Sequence, residues 1–261
     1  MTSLSLLQGA LGLLSGSLVG FTLGLVGGGG SILAVPLMIY LVGVGDTHIA
    51  IGTSAVAVAA NAAIGLVNHA RRGTVKWPCA SVFALTGAAG ALAGSTLGKL
   101  MDGQQLLALF AVLMLVVGVL MLRSRGGEGD EGVRLSRGNL PKLLGVGAGA
   151  GALSGFFGIG GGFLVVPGLM LATGMPILNA IGSSLVAVTA FGLTTAGNYA
   201  VSGMLDWGLA AVFVAGGVVG GWLGARSAKR LAGHRGALNA IFATLIIVVA
   251  IYTLVRSLGV L

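Results

Sequence analysis

Two glycine-rich runs hold the residue types best able to do chemistry: Gly27-Gly28-Gly29-Gly30-Ser31 followed by Pro36, and Gly158-Ile159-Gly160-Gly161-Gly162 followed by Pro167. Glycine at this density interrupts a helix, because it gives up the most backbone entropy and has no side chain to pack. Where a helix restarts just after such a break, its free N–H groups and positive dipole end face the gap, an arrangement that suits an anion. Gly28, Gly29, Gly30, Ser31, Gly160, Gly161 and Gly162 are therefore candidate ligand contacts. Close helix packing is the other reading of these glycines. For Gly16, Gly20 and Gly24, and for Gly147, Gly151 and Gly155, packing is the better account, since a four-residue spacing puts them on one helix face.

A polar stripe supplies the second candidate set. Ser54, Asn61 and Asn68 recur every seven residues on one helix face, and a matching segment offers Ser184, Thr195 and Asn198. Asn61 falls near the middle of a long apolar run, where an amide facing hydrocarbon is costly, so it should face a partner helix or an aqueous cavity. Thr53, Ser54, Ser183 and Ser184 follow an Ile-Gly pair at the start of these helices. Each hydroxyl has two readings, donation to a ligand or a bond to its own helix carbonyl. Asp46, Asp102 and Asp206 fall near segment ends, where helix capping is expected. His69 beside Arg71 and Arg72 reads as interfacial, with proton coupling as the second reading.

The elements that position these residues follow from composition. Of 261 residues, 56% are hydrophobic and 8% charged, too little charge to coat a soluble domain, for which about 25% is usual. Apolar segments span 4–26, 31–44, 48–67, 77–101 and 106–122, then 143–157, 163–173, 177–199, 207–231 and 237–258. With ~20 apolar residues needed per crossing, the chain reads as an all-α polytopic membrane protein. A net charge of +8 would suggest nucleic acid in a soluble protein, but here the bases sit in loops, so no nucleic-acid partner is expected. The single Cys79 cannot form an internal disulfide, and His48, His69 and His234 lack metal-ligand spacing, so neither cofactor nor metal is expected. The first residues lack the basic stretch of a signal peptide, and the first apolar segment is expected to persist as structure.

The halves are copies. Residues 16–37 match 147–168 at nine positions, from Gly16 to Pro36, and AIGTSAVAV at 50–58 matches AIGSSLVAV at 180–188 at seven of nine. Asn68 then falls on Asn198, Trp77 on Trp207 and Lys99 on Lys229. The expected units are an N-terminal transmembrane repeat (1–122), a polar linker (123–142) and a C-terminal transmembrane repeat (143–261). Five passes per repeat put twelve Lys and Arg on one side and only Lys99 and Arg256 on the other, a better positive-inside split than four passes give. An odd count makes the repeats inverted in topology, with both termini outside and the linker cytoplasmic. The second segment of each half is short and reads equally as the return arm of a re-entrant hairpin.

Two look-alikes fail. GSTLGKL at 94–100 has three residues between its glycines where a P-loop has four, and Leu where Mg²⁺ needs a hydroxyl; Gly158-Ile159-Gly160 lacks the strand-helix-strand context of a dinucleotide site. The paired pattern GLVGGGGSILAVP and SGFFGIGGGFLVVP, each followed by AIGTS or AIGSS and then a Trp-containing loop, resembles the TauE/SafE sulfite exporter family over nearly the whole chain outside the linker. The resemblance implies an inner-membrane permease, not an enzyme, for small sulfur-containing or organic anions such as sulfite or sulfonates. Members are usually described with about eight spans, fewer than the ten segments here unless the extra pair are re-entrant arms. The expected activity is alternating-access transport of a small anionic solute across the plasma membrane, with an anion channel or a membrane subunit of a larger complex as the alternatives. A coupling ion, proton or sodium, and the oligomeric state are left open by the sequence.

Overall fold

The computed structural model describes residues 6–123, 130, 132–160, 162–230 and 235–257, and among them every regular element is helical. Helix α1 (Leu6–Val26) leads into a 3-10 stretch (Gly27–Leu33), one α-turn, α2 (Ala34–Pro36), and a π-helical stretch (Leu37–Leu41). Then come α3 (Thr47–Arg71), α4 (Trp77–Gly98) and α5 (Gly103–Arg123). The second half repeats the order with α6 (Leu140–Phe157), α7 (Gly162–Thr173), α8 (Ile177–Val201), α9 (Trp207–Arg230) and α10 (Arg235–Ser257). Among the described residues, seven helices are long and apolar enough to cross a membrane, and Gly30–Leu41, Gly162–Thr173 and Ala243–Ser257 are shorter apolar helices.

Local chemistry sets the helix ends. Asp46 accepts from the backbone N–H of His48 (2.7 Å) and Ile49 (3.2 Å), Asp102 from Gln104 and Gln105, and Asp206 from Leu209, so each aspartate caps a helix start. Helices α3 and α8 both end at a glycine with positive φ, Gly73 (68°) and Gly203 (71°), which are equivalent in the duplication. The short arms differ. Pro167 is carried inside a regular α7, whereas after Pro36 the coil loosens into π geometry. Proline removes an N–H and crowds the preceding turn, and the glycine run just before Pro36 does little to hold the α-helical register.

The helices pair across the halves. Gly16, Gly20 and Gly24 of α1 lie against the backbone of Phe213, Gly217 and Gly221 of α9, so close that a Cβ would strike a carbonyl. Gly151 and Gly155 of α6 meet Gly87 and Ala91 of α4 in the same way, and Gly147 lies against Thr86 and Phe83. In both pairs the numbers rise together, so α1 runs parallel to α9 and α6 parallel to α4. The interfaces are two backbones in van der Waals contact, the form that small residues permit where no water drives helices together. The central pair, α3 and α8, runs the other way: Gly52 sits by Tyr199, Gly192 by Ala55 and Ala59, and Gly65 by Leu185. Two reciprocal bonds clasp it to the neighbouring loops, Asp206 N–H to Thr53 Oγ1 (3.0 Å) and Lys76 N–H to Ser183 Oγ (2.9 Å).

Candidate functional site

The second glycine break lies at the middle of the α3–α8 pair. Gly158 and Gly160 have positive φ (69° and 65°), a conformation open to glycine at little cost, and they turn the chain out of α6 toward the start of α7. A Cβ on Gly160 would stand 2.7 Å from Val58 Cγ1 and 3.6 Å from Val188 Cγ1. Val58 and Val188 are themselves equivalent in the duplication, so the break is wedged where the two copies face each other. Gly162 opens α7, whose first-turn N–H groups have no partner within their own helix. Gly161 lies outside the described residues.

The first break is a tight reversal. Gly30 folds back against the backbone of Thr22 and Leu23, a contact that a straight helix would not allow seven residues on. Thr22 Oγ1 reaches Gly30 O at 3.4 Å, and the stretch that includes Gly28, Gly29 and the fully buried Ser31 packs on α7 and α8. The two breaks thus share neighbours.

Asn61 stands one helical turn beyond Val58 on α3. It is 8% exposed, and neither its amide nitrogen nor its oxygen has a hydrogen-bond partner. Its amide rests in the space left by Gly217 of α9, where a Cβ would overlap it, and Gly217 in turn lies on Gly20 of α1. Asn61 therefore sits where three helices meet. The equivalent residue in the second half is Phe191, which fills the space over Gly87 and stacks on Phe83 with centroids 6.3 Å apart. One copy carries an amide at this position and the other a phenyl ring, so any polar contact made there comes from α3 alone.

The remaining candidates separate into two groups. Ser54 and Ser184 donate to Ile51 O (3.0 Å) and Ile181 O (2.8 Å) of their own helices, while Thr53 and Ser183 accept the loop N–H groups described above. Asn198 donates to Ser95 Oγ (2.7 Å) and Thr96 Oγ1 (3.0 Å) and accepts from Lys99 Nζ (2.8 Å). Thr195 is fully buried with an unpartnered hydroxyl, as is Ser15 of α1. Ser15 and Gly217 did not figure in the sequence reading. Gly217 belongs to a run of α9 glycines whose partners only the fold reveals, and Ser15 stands alone with nothing local to mark it.

Shallow depressions open at the two ends of the molecule, one lined by Asp46, His48, Met101, Asp102 and Gln104, the other by Lys76, Trp77, Cys79 and Arg134. Asn61 and Gly160 line neither and are buried. Among the described residues no group of three or more His, Cys, Asp or Glu could hold a metal ion.

Comparison with known proteins gives a consistent picture. Residues 12–253 match the family model described as Sulfite exporter TauE/SafE. A probable membrane transporter protein of Xylella fastidiosa is 54% identical over 93% of this chain and 94% of its own length. A similarly described protein of Haemophilus influenzae is 30% identical over 75% of this chain and 74% of its own, and one of Bacillus subtilis 26% identical over 85% and 87%. No solved structure matches the chain.

Proposed function

The chain belongs to the TauE/SafE sulfite exporter family and is a multi-pass membrane transporter, and from that premise we propose that it carries a small sulfur-containing or organic anion, such as sulfite or a sulfonate, by alternating access. The carrying observation is the Asn61 amide, buried near mid-helix with both polar atoms unpaired, one turn from the glycine break at Val58 and Val188. An unpaired buried amide costs about 1–3 kcal/mol, so a partner that comes and goes explains its presence there better than packing does. The anion accepts from Asn61 Nδ2, the first-turn N–H groups of α7 and the backbone at Gly28, Gly29 and Gly30, with the hydroxyls of Ser31 and Thr195 as further donors. No ionised side chain lies in the middle of α3, α7 or α8. Dipoles and neutral donors alone hold the charge, which gives modest affinity and ready release.

Two inverted-topology repeats rock against each other in this reading. Support comes from the antiparallel run of the equivalent helices α3 and α8 and from the basic residues, which cluster at the end shared by the α3–α4 loop, the linker and the end of α9. That end is cytoplasmic, both termini are outside, and the membrane is the plasma membrane. The test is flux in liposomes of purified protein across sulfite, sulfate, thiosulfate, sulfoacetate, taurine and a plain carboxylate. Saturable flux with counterflow for a sulfur oxyanion or sulfonate, lost in Asn61→Leu, is the expected result. Unsaturable flux without counterflow would make the protein a channel, and unaltered flux in Asn61→Leu would remove the amide from the site.

A further inference from the structure

Lys99 is one of only two basic residues assigned to the outer end, and its ammonium is spent across the repeat boundary. Standing just after α4 of the first repeat, it donates to Asn198 O (3.1 Å), Asn198 Oδ1 (2.8 Å) and Ser202 Oγ (2.8 Å) at the end of α8 in the second. The Asn198 amide returns the tie by donating to Ser95 and Thr96 of α4, and the ammonium lies 5.8 Å from the centroid of the Tyr199 ring. These are five polar bonds between the two copies, each ammonium bond is charge-assisted, and no carboxylate takes part.

The duplication makes the opposite end a built-in comparison. Lys229 and Asn68 stand at the positions of Lys99 and Asn198, but Ser95, Thr96 and Ser202 are replaced by Ala225, Arg226 and Arg72. The asparagine is kept, but the hydroxyl that is the lysine's third acceptor is replaced by a cationic residue, and both hydroxyls that receive the asparagine amide are lost. Asn68 is exposed, whereas Asn198 is partly buried in its network.

We propose that Lys99 and Asn198 form a latch that holds the outer end of the two repeats closed, and that the equivalent positions at the cytoplasmic end, which lack its three hydroxyls, do not form one. This rests on the alternating-access reading above. The two ends then open with unequal ease: the cytoplasmic end loads freely, and opening outward requires the ammonium to give up its three acceptors. Asn198 acts by closing the path rather than by touching the solute.

Accessibility of a buried reporter tests this without knowledge of the substrate. Thr195, fully buried one turn further into α8 than Asn198, is replaced by cysteine in a Cys79→Ser background, and a membrane-impermeant thiosulfonate is applied to each face of sealed vesicles. Lys99→Gln, which removes three charge-assisted bonds, is expected to speed labelling from the Lys99 side by more than about tenfold, the factor that loss of one such bond implies, with Lys99→Arg near wild type and Lys229→Gln without effect. Should Lys99→Gln not fold, Ser202→Ala removes one acceptor and should give a smaller acceleration in the same direction. Unchanged labelling in the Lys99 and Ser202 variants, or equal acceleration by Lys229→Gln, overturns the latch. The two proposals fail separately: labelling governed by Lys99 in a protein that carries no anion would keep the latch and remove the transport reading, and the reverse result would do the opposite.

Discussion

At the scale of single residues, Asn61 makes a prediction that separates a binding group from a structural one. An amide bonded across a helix interface stabilises it, and its loss lowers stability. An unpaired amide does the reverse, because removing it relieves a desolvation cost of about 1–3 kcal/mol. Asn61→Leu, close in size, is therefore expected to melt in detergent at or above the wild-type temperature while losing transport. A clear fall in melting temperature would mean that the amide is a packing bond after all. Gly217→Ala tests the same geometry from the other side: the added methyl overlaps the Asn61 amide and turns it away, so the Km for the anion should rise with little loss of yield. An unchanged Km would show that the amide's direction does not matter. Asn61 was legible in the sequence as a mid-span polar residue on a helix face. Its pocket was not, since Gly217 lies 156 positions away and only packing joins them.

At the scale of elements, the α1–α9 and α4–α6 contacts are backbone against backbone, and one methyl is enough to spoil them. Gly20→Ala and Gly151→Ala each place a Cβ against a main-chain carbonyl, of Gly217 and Gly87 respectively, which no rotamer change can relieve. Each should cost about 1–3 kcal/mol, seen as a lower melting temperature and reduced yield. By contrast Gly9→Ala, where a Cβ meets nothing within 4 Å, should be silent. The four-residue glycine spacing told that these faces pack closely, and the segment boundaries fell within a few residues of the helices, because periodicity and glycine punctuation are local signals. Which helix meets which was beyond that information. Glycines on α1 specify a small partner surface, but α4, α6 and α9 all offer one. The 3-10 and π geometry of the first short arm was likewise illegible, because Pro36 and Pro167 look alike in sequence and differ in the coil that surrounds them.

For the whole molecule, duplication organises both structure and site. Copies that pair reciprocally bring equivalent residues face to face, as Val58 and Val188 do about Gly160, so the centre of the molecule is where a solute could be handed from one copy to the other. The copies differ at the positions on which the proposed site and latch rest. Asn61 answers to Phe191, and the hydroxyls that bind Lys99 and Asn198, those of Ser95, Thr96 and Ser202, answer to alanine and two arginines. That divergence was present in the alignment of the halves, yet its meaning needed the fold to show which of these positions touch. The most direct test of the central claim, that the amide and the glycine break bind the anion, is calorimetric titration of the purified protein with sulfite and with a sulfonate, compared with Asn61→Leu. The expected result is measurable binding of at least one of them to the wild type and at least about a tenfold loss in the variant, roughly the value of one hydrogen bond to a charged group. Equal affinity in the two proteins would contradict it.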